Sequence, residues 1–300
     1  MENGKYKKCQ LKILTESVRA ALTSVGSKYC LDEGEFLHRV LQQLPKFTDS
    51  ELSEKRVISK EIEHIARKIK EVKKKYKRFT EPPNDMVTLA NLTFAVVPKR
   101  EAGIVNEKFH YIGYNRTESF HMGLFAGYQK NRGKLASMIT LSPFDLSHVK
   151  PLPIGLDSRN VLVVSRVFAF DWAPRNCISF MMGRTFRWLR KNKRSVKLLL
   201  TYLNPNSCFT GTSYEASNWV LFGVEPNLHY AYLDGEYVTL RALREGFSTD
   251  HITSLQETLG NRLQLSHQPL EPLRLYAYYL DKNIKSFREP KTFKKVPPIA

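Results

Sequence analysis

Two pairs of adjacent residues in this chain carry side chains that could take part in catalysis or ligand binding. His110 precedes Tyr111, and Arg166 follows Ser165 directly after the apolar residues 161–164. A histidine titrates near neutral pH and can act as a base or bind a metal ion, and a tyrosine can hold the polar edge of a substrate. An arginine at a strand end can clamp a phosphate or carboxylate with two hydrogen bonds. These pairs predict a site for a polar or anionic substrate, with a surface histidine, a core tyrosine and a salt-bridged arginine as the alternatives.

Two further polar stretches follow along the chain. Asn176 and Ser179 lie at the start of the helix predicted after Pro174. Unpaired backbone N–H groups at a helix start favour an anion such as a cofactor pyrophosphate, although Asn176 can equally be a simple helix cap. Asn204 and Tyr214 flank a polar loop, where a tyrosine hydroxyl could protonate a leaving thiolate or only fill space. We therefore predict that these four residues belong to the same site.

The elements that must position these side chains are a strand, a helix, a second strand and a polar loop between residues 161 and 223. That order is how an α/β enzyme places side chains at the carboxyl ends of its strands. Residues 85–281 are accordingly predicted to form one catalytic domain. Apolar patterns predict strands at 92–97, 161–164, 196–200, 229–233 and 273–280, a hairpin of 120–126 with 135–141, and a helix at 248–259.

Residues 1–84 carry apolar residues at helical spacing and end at Pro82 and Pro83. Residues 67–79 (RKIKEVKKKYKRF) contain eight basic residues and one acid. We interpret residues 1–84 as a basic helical domain that grips DNA as a separate module, so that its removal leaves a folded domain; a solvated helix end is the alternative. Residues 282–300 are predicted to be a basic tail. The candidate DNA contacts are Lys68, Lys73, Lys74, Lys75, Lys77 and Arg78 here, and Arg184, Arg187, Arg190, Lys191 and Arg194 on the helix after Pro174.

The composition supports a polyanionic partner. The chain has 47 Lys and Arg against 29 Asp and Glu, a net charge of +18, and nucleic acid is the first candidate for such a balance. No signal peptide is visible and no apolar run approaches the roughly 20 residues of a membrane span, so a soluble cytoplasmic protein without a membrane partner is expected. The phosphate-loop, dinucleotide, serine-hydrolase and zinc-protease signatures are all missing, which argues against those enzyme classes.

Six stretches, read together and in order, resemble the Mom family between His110 and Leu280. They are HYIG, FHMGLF, SRVFAFDWAPRNCIS, TYLNPNSCFTGTSYEASNWVLFG, GEYVTLRALREGF and PLRLYAYYLD. Mom proteins are phage-encoded enzymes that modify adenine in DNA and shield it from restriction. The resemblance implies an α/β fold of the GNAT acyltransferase type, a mixed and splayed sheet with flanking helices. Here an N-terminal α-helical domain precedes it.

The resemblance also implies roles for residues of this chain. Its motifs fall on His110 with Tyr111, on Ser165 with Arg166, and on Pro174, Asn176 and Ser179. The implied catalytic residues are His110, Tyr111, Arg166, Asn204 and Tyr214, and the implied cofactor-binding residues are Ser165, Asn176 and Ser179.

The implied partners are double-stranded DNA and acetyl-CoA or a related acyl-CoA, and His110 is a candidate ligand for a metal ion. One position departs from the family, because Asn204 stands where the family has an aspartate, and an amide cannot act as a general base. Two alternatives stay open. One is a GNAT N-acetyltransferase of a protein or small amine, and the other is a non-catalytic DNA-binding protein on a GNAT scaffold.

Overall fold

The protein is described by a computed structural model. The described residues are 13–31, 33–116, 118–129, 132–144, 156–225, 229–249, 251–268, 270–281, 284 and 291–292. Residues 130–131 of the predicted hairpin turn and most of the predicted 282–300 tail lie outside them.

An eight-stranded mixed sheet forms the centre of the molecule, in the order β1-β2-β3-β4-β5-β10-β6-β11. The neighbouring strands run antiparallel, except that β4 pairs with β5 and β11 with β6 in parallel. A separate three-stranded sheet has the order β8-β7-β9. The strands are β1 Leu92–Val96, β2 Phe120–Gln129, β3 Arg132–Pro143, β4 Val161–Ala169, β5 Leu198–Leu203, β6 Val220–Glu225, β7 Ala231–Leu233, β8 Glu236–Val238, β9 Leu263–Leu265, β10 Leu273–Tyr279 and β11 Lys291–Thr292.

The helices of the described residues flank this sheet and also make up the N-terminal part of the described chain. They are α1 Glu16–Tyr29, α2 Glu33–Gln43, α3 Asp49–Ser53, α4 Lys55–Lys75, α5 Lys77–Thr80, α6 Lys99–Ile104, α7 Cys177–Asn192, α8 Thr212–Glu215, α9 Leu240–Phe247 and α10 Ile252–Leu259.

The sheet opens between β4 and β5. These strands pair only where Val161–Val163 face Leu198–Leu200. Beyond that point β4 stays paired with β3 up to Ala169, and β5 stays paired with β10 up to Leu203. The two strands therefore diverge and leave a gap between them, which confirms the expected mixed and splayed sheet.

Helix α7 connects the two diverging strands and packs across the sheet. Its buried side chains Met181, Phe186 and Leu189 recur at helical spacing and join a cluster that includes Leu124 and Ile139 of the sheet. An amphipathic helix between two parallel strands buries its apolar face on the sheet between them. The start of α7 is thereby held beside the gap between β4 and β5.

The N-terminal helices have their own apolar core but do not stand apart from the sheet. Phe79 of α5 lies in a second apolar cluster with Phe109 and Phe170, and its carbonyl accepts a hydrogen bond from the Trp172 indole at 2.9 Å. The Tyr232 hydroxyl donates to the carbonyl of Gln42 in α2, also at 2.9 Å. The helical region thus covers one side of the sheet with shared buried side chains.

The structure corrects three boundaries. Ser165 and Arg166 lie inside β4, not at its end, because pairing with β3 continues past the apolar residues. The strand predicted at 196–200 runs from Leu198 to Leu203, since its polar end still pairs with β10. The helix predicted at 248–259 begins at Ile252, because Ser248 adopts a left-handed backbone (φ 59°) that ends α9. Within the described residues, no helix combines the length and apolarity that crossing a membrane requires.

Folding buries a histidine of β2, and we expect this to make stability depend on pH. His121 is 4% exposed, its Nδ1 lies 3.0 Å from Thr140 Oγ1, and burial lowers its pKa to about 4. Below its ordinary pKa the unfolded chain binds a proton that the folded chain excludes. The free energy of unfolding should therefore fall by up to about 3 kcal/mol as the pH drops from about 6.5 to about 4.

Urea unfolding at about pH 7 and about pH 4.5 measures this loss. The His121→Gln variant keeps a hydrogen-bonding side chain that does not titrate, so its loss should be smaller than the parent's. An equal loss in both proteins would assign the pH dependence to other groups.

Candidate active site

A cavity of about 470 Å³ occupies the gap between β4 and β5. We call it the main chamber. Five predicted catalytic residues come from four separate parts of the chain and all line it, together with Ser165. Asn176 and Ser179 do not line it. The predicted residues that the structure brings together here are His110, Tyr111, Ser165, Arg166, Asn204 and Tyr214.

Arg166 is a partly buried cation in the lining of the main chamber. Its Nη1 donates to the Ser165 carbonyl at 2.6 Å and its Nη2 to the Tyr114 carbonyl at 3.3 Å. Its buried Nε has no hydrogen-bond partner among the residues that the structure describes. Burial lowers the pKa of Arg166 to about 10, so the guanidinium remains charged at neutral pH. Among the described residues no carboxylate pairs with it, so it offers a charged donor to an anionic or carbonyl group of a ligand.

Ser165 is the extra residue of a β-bulge. Thr140 pairs with Arg166 and Leu141 with Val164, which leaves Ser165 unmatched between them. A bulge re-aims the side chains beside it and is frequent next to active sites. The Ser165 hydroxyl lies 2.7 Å from the Ser142 hydroxyl, which anchors the bulge to β3. The bulge therefore places Ser165 and Arg166 on the wall of the chamber.

His110 follows a single π-helical turn, Val105–Phe109, a rare conformation that is often found at functional sites. Its ring is 4% exposed, and its Nδ1 accepts the Ile112 N–H at 3.2 Å. Burial, reinforced by the nearby charges of Arg166 and Arg39, holds the pKa of His110 well below its ordinary value. The ring is therefore neutral with its proton on Nε2. In this tautomer His110 is a hydrogen-bond donor toward a ligand rather than a base.

The N-terminal helix α2 clamps the turn that carries His110. Arg39 of α2 donates from Nη2 to the carbonyl oxygens of Lys108 at 2.9 Å and Phe109 at 3.1 Å. Its Nε pairs with Glu35 at 3.0 Å, and both side chains are largely shielded from solvent. Burial raises the pKa of Glu35, which Arg39 opposes. An element outside the resemblance thus fixes the backbone beside a predicted catalytic residue.

We expect Arg39→Ala to lower both stability and activity. The change leaves Glu35 without its partner, which costs about 3 kcal/mol for a buried pair, and it frees the turn before His110. The double variant Glu35→Gln, Arg39→Ala should recover much of the thermal stability but not the activity. It should also raise the pKa of His110, measured by NMR, because one nearby positive charge is gone. Full recovery of activity in the double variant would show that Arg39 only stabilises the fold.

Tyr214 and Asn204 contribute differently to the chamber. The Tyr214 hydroxyl lies 3.4 Å from Thr201 Oγ1, and burial raises its pKa, so it stays protonated and able to donate a proton. The Asn204 Oδ1 accepts the Asn206 backbone N–H at 3.0 Å and the Asn206 side-chain amide at 2.9 Å. Its Nδ2 donates to the Tyr230 hydroxyl. Asn204 therefore holds the loop together and is not placed as a base.

Sequence reasoning missed the carboxylate of the main chamber. Glu225, at the end of β6, lines the chamber and is hydrogen-bonded to Tyr202. Two other carboxylates near the sequence motifs, Asp171 and Glu215, do not line the chamber. Asp171 pairs with Lys73 at 2.7 Å on the surface, and Glu215 accepts from the Tyr276 hydroxyl at 3.0 Å. The signal that points to Glu225 is its position directly after an apolar strand.

Two arginines of the main chamber were also missed. Arg116 donates to the Pro143 carbonyl at 2.9 Å, and Arg241 of α9 pairs with Glu245 at 3.4 Å. With Arg166 they give the described lining three arginines against the single carboxylate of Glu225. This excess of positive charge favours an anionic ligand.

The first turn of α7 lies beside the chamber, but the two predicted residues there, Asn176 and Ser179, do not line it. Asn176 precedes the helix with a left-handed backbone (φ 64°), and its side chain makes no capping hydrogen bond. The Ser179 hydroxyl donates to the Asn176 carbonyl at 3.0 Å. Both residues are exposed, whereas Ile178 and Met182 of the same helix line the chamber. The uncapped first turn is therefore open to solvent beside the chamber wall.

The predicted DNA-contacting residues fall into two groups. Some already have partners within the chain: Lys68 pairs with Glu236, Lys73 with Asp171, and Arg190 donates to the Leu280 carbonyl. On α4 and α5, Lys77 lies 3.8 Å from Glu81, and Lys75 and Arg78 lie over the rings of Tyr76 and Phe79. The second group is exposed: Lys74 on α4, and Arg184, Arg187, Lys191 and Arg194 on and just after α7. Within that group Arg184 lies over the Phe180 ring, and Arg187 donates to the Gly183 carbonyl of its own helix at 3.4 Å.

A metal ion was a further possibility raised by His110. Across the described ranges, no group of three or more His, Cys, Asp or Glu side chains is close enough to hold one. The surroundings of His110 therefore do not fit a metal centre built from the described side chains.

One of the comparisons with known proteins identifies the family of this chain. No curated protein matches the sequence. Similar solved structures include an N-acetyltransferase from Staphylococcus aureus Mu50, with 11% identity over 63% of this chain and 97% of that chain and a TM-score of 0.35. Another is a spermidine N-acetyltransferase from Vibrio cholerae in complex with CoA and spermine, with 8% identity over 64% and 96% and a TM-score of 0.35. A third is Arabidopsis thaliana NAA60 with a bisubstrate analogue, at 8% over 63% and 99% with a TM-score of 0.38. The Mom protein family model matches residues 91–297, more than two thirds of the chain, and the chain therefore belongs to the Mom protein family.

Proposed function

We propose that this protein modifies the exocyclic amino group of adenine in DNA with an acyl-CoA-type cofactor and so protects DNA from restriction. The observation that carries the proposal is the main chamber, where Arg166 offers a guanidinium that no described carboxylate pairs with and Tyr214 offers a protonated hydroxyl. Membership of the Mom family supplies the reaction class. The net charge of +18 suits a polyanionic substrate.

The residues of the chamber fit such a cofactor. The guanidinium of Arg166 lines the chamber and no described carboxylate pairs with it, so a carbonyl or phosphate oxygen can accept a charge-assisted hydrogen bond from it. The open first turn of α7, including Asn176 and Ser179, is a further place for phosphate oxygens. Acyl-CoA, when bound, supplies a thioester whose carbonyl carbon is open to an amine nitrogen and whose sulfur leaves as a thiolate.

We assign each of these side chains a role in the reaction. Arg166 and the Nε2–H of His110 donate hydrogen bonds that stabilise negative charge in the chamber. The hydroxyl of Tyr214 would be the proton donor to the sulfur of the bound cofactor. The amine must lose one proton, and Glu225 is the carboxylate among the described lining residues that can accept it.

Mass spectrometry of nucleosides tests the function directly. DNA made in cells with this protein should contain a modified deoxyadenosine that DNA made without it lacks. The Tyr214→Phe variant should fold like the parent and yield far less modified nucleoside. If no modified adenine forms while the purified protein binds acyl-CoA and not DNA, the alternative of a protein or small-amine N-acetyltransferase replaces this proposal. If it binds DNA and not acyl-CoA, a non-catalytic DNA-binding protein is the better description.

The salt dependence of duplex binding should identify the DNA-contacting surface. Each phosphate contact contributes about −0.9 to the slope of log affinity against log salt concentration. We expect glutamine at Arg184, Arg187, Lys191 and Arg194 to flatten that slope by about three units or more. The matched control is Arg262→Gln, since Arg262 is an exposed arginine already paired with Asp234 at 2.8 Å. An unchanged slope in the fourfold variant would assign DNA contact to another surface, such as the basic end of α4.

A further inference from the structure

A second, smaller cavity of about 210 Å³ adjoins the main chamber. We call it the side chamber. The two cavities share the lining residues Tyr111, Ile112, Tyr202, Asn204 and Leu273, so they meet along one wall. The two cavities are therefore immediate neighbours in the fold.

The side chamber differs from the main chamber in charge. Among the described residues that line it, none is Asp, Glu, Lys or Arg, and its one histidine, His229, has its Nδ1 3.3 Å from the Ser266 carbonyl oxygen. The described lining of the main chamber includes three arginines and Glu225. Burial raises the pKa of Tyr230 and of Tyr237, so both hydroxyls stay neutral. A cationic amine would need a carboxylate in this lining, and a phosphate would need a cation. The lining therefore favours a neutral ligand.

The walls of the side chamber are aromatic with amide and hydroxyl groups between them. Tyr230 and Tyr237 contact each other edge to face with ring centroids 5.4 Å apart, and Tyr111 forms part of the wall shared with the main chamber. The amides of Gln42 and Asn204 hold the hydroxyls of Tyr237 and Tyr230. Flat rings bordered by fixed donors and acceptors suit a planar, neutral heterocycle, because aromatic side chains stack on a base and polar groups meet its edge.

We propose that the side chamber holds the acceptor heterocycle, an unpaired nucleobase, while the main chamber holds the acyl donor. This inference rests on the proposed function and adds the location of the acceptor. Gln42 comes from helix α2, outside residues 91–297, so the N-terminal helical region supplies part of this pocket. Leu240, at the start of α9, lines the pocket and is 44% exposed, which places it at the rim.

Filling the rim tests the proposal. Leu240→Trp should block the side chamber without disturbing the fold, because Leu240 is exposed. The matched control is Phe247→Trp, on the same helix and 39% exposed but not in the lining of either chamber. The probe is a short duplex with 2-aminopurine at one adenine, placed at each adenine in turn, since the emission of this analogue rises when it leaves the base stack. Anisotropy of an end label reports duplex affinity, and calorimetry reports acyl-CoA affinity.

The parent and Phe247→Trp should bind the duplex and raise the 2-aminopurine emission several-fold. Leu240→Trp should keep its affinities for the duplex and for acyl-CoA within about twofold but lose the emission rise and the modification of adenine. A Leu240→Trp protein that still raises the emission or still modifies adenine overturns this inference and leaves the proposed function intact. A parent that binds acyl-CoA but no duplex overturns both. If the parent and Phe247→Trp bind spermidine and Leu240→Trp does not, the side chamber is a site for a cationic amine and this inference is wrong.

Discussion

Replacing Arg166 with glutamine is expected to abolish modification while leaving the protein folded. The Arg166 side chain carries a partly buried charge that no described carboxylate balances, and its Nε lacks a partner. Removing such a charge relieves a desolvation cost, so the thermal midpoint should stay within a few degrees of the parent's or rise. Loss of a charge-assisted hydrogen bond should weaken acyl-CoA binding by about ten- to a hundredfold, measured by calorimetric titration.

Two comparisons make the Arg166 result specific. Arg187→Gln removes an exposed arginine of α7 outside the chamber and should not change acyl-CoA affinity. Arg166→Gln should also raise the pKa of His110, because the charge of Arg166 is one of the causes that lower it. A protein that fails to fold when Arg166 is replaced would show that the guanidinium is a structural partner of the Ser165 and Tyr114 carbonyls, and the site assignment would be wrong.

Removing residues 1–84 is expected to unfold or strongly destabilise the remaining chain. The pattern of basic helices predicted a separate module, but the described helices share buried surface with the sheet. Deletion would expose Phe109 and Phe170, which pack against Phe79, and would remove the Arg39 clamp. Exposing one large buried aromatic contact already costs about 3 to 5 kcal/mol, a large part of the stability of a typical domain.

Circular dichroism and thermal melting of residues 85–300 measure this directly. We expect a lower midpoint or a non-cooperative transition, and strong binding of an apolar dye. Adding residues 1–84 as a separate polypeptide should restore part of the cooperative melt if the shared core is what was lost. The full-length Phe79→Ala variant is a milder test of the same contact. If the deletion protein melts cooperatively at the parent's temperature, this expectation is wrong. Residues 1–84 would then be a separate module, as the sequence pattern predicted.

Local patterns along the chain were enough to predict the main elements. The apolar, valine-rich run at 161–164, the amphipathic spacing after Pro174 and the apolar run up to Leu200 correspond to β4, α7 and β5. These elements depend on propensity and periodicity within a few residues, which a sequence displays directly. The short polar motifs, taken in order, also indicated the family, and residues 91–297 match it. The family and the order of the strand, helix and strand unit were therefore readable from the sequence alone.

Only the tertiary structure decided how these parts meet. Glu225 and Arg241 lie in the main chamber because β6 and α9 pack beside it, and no local pattern relates them to His110. Arg39 reaches the turn before His110 across 69 and 70 positions of sequence. Likewise, whether Lys68 and Lys73 face solvent or pair with Glu236 and Asp171 depends on how the helices dock. Burial, ion pairing and cavity shape depend on the packing of distant segments, and therefore the sequence could predict the chemistry of the site but not its walls.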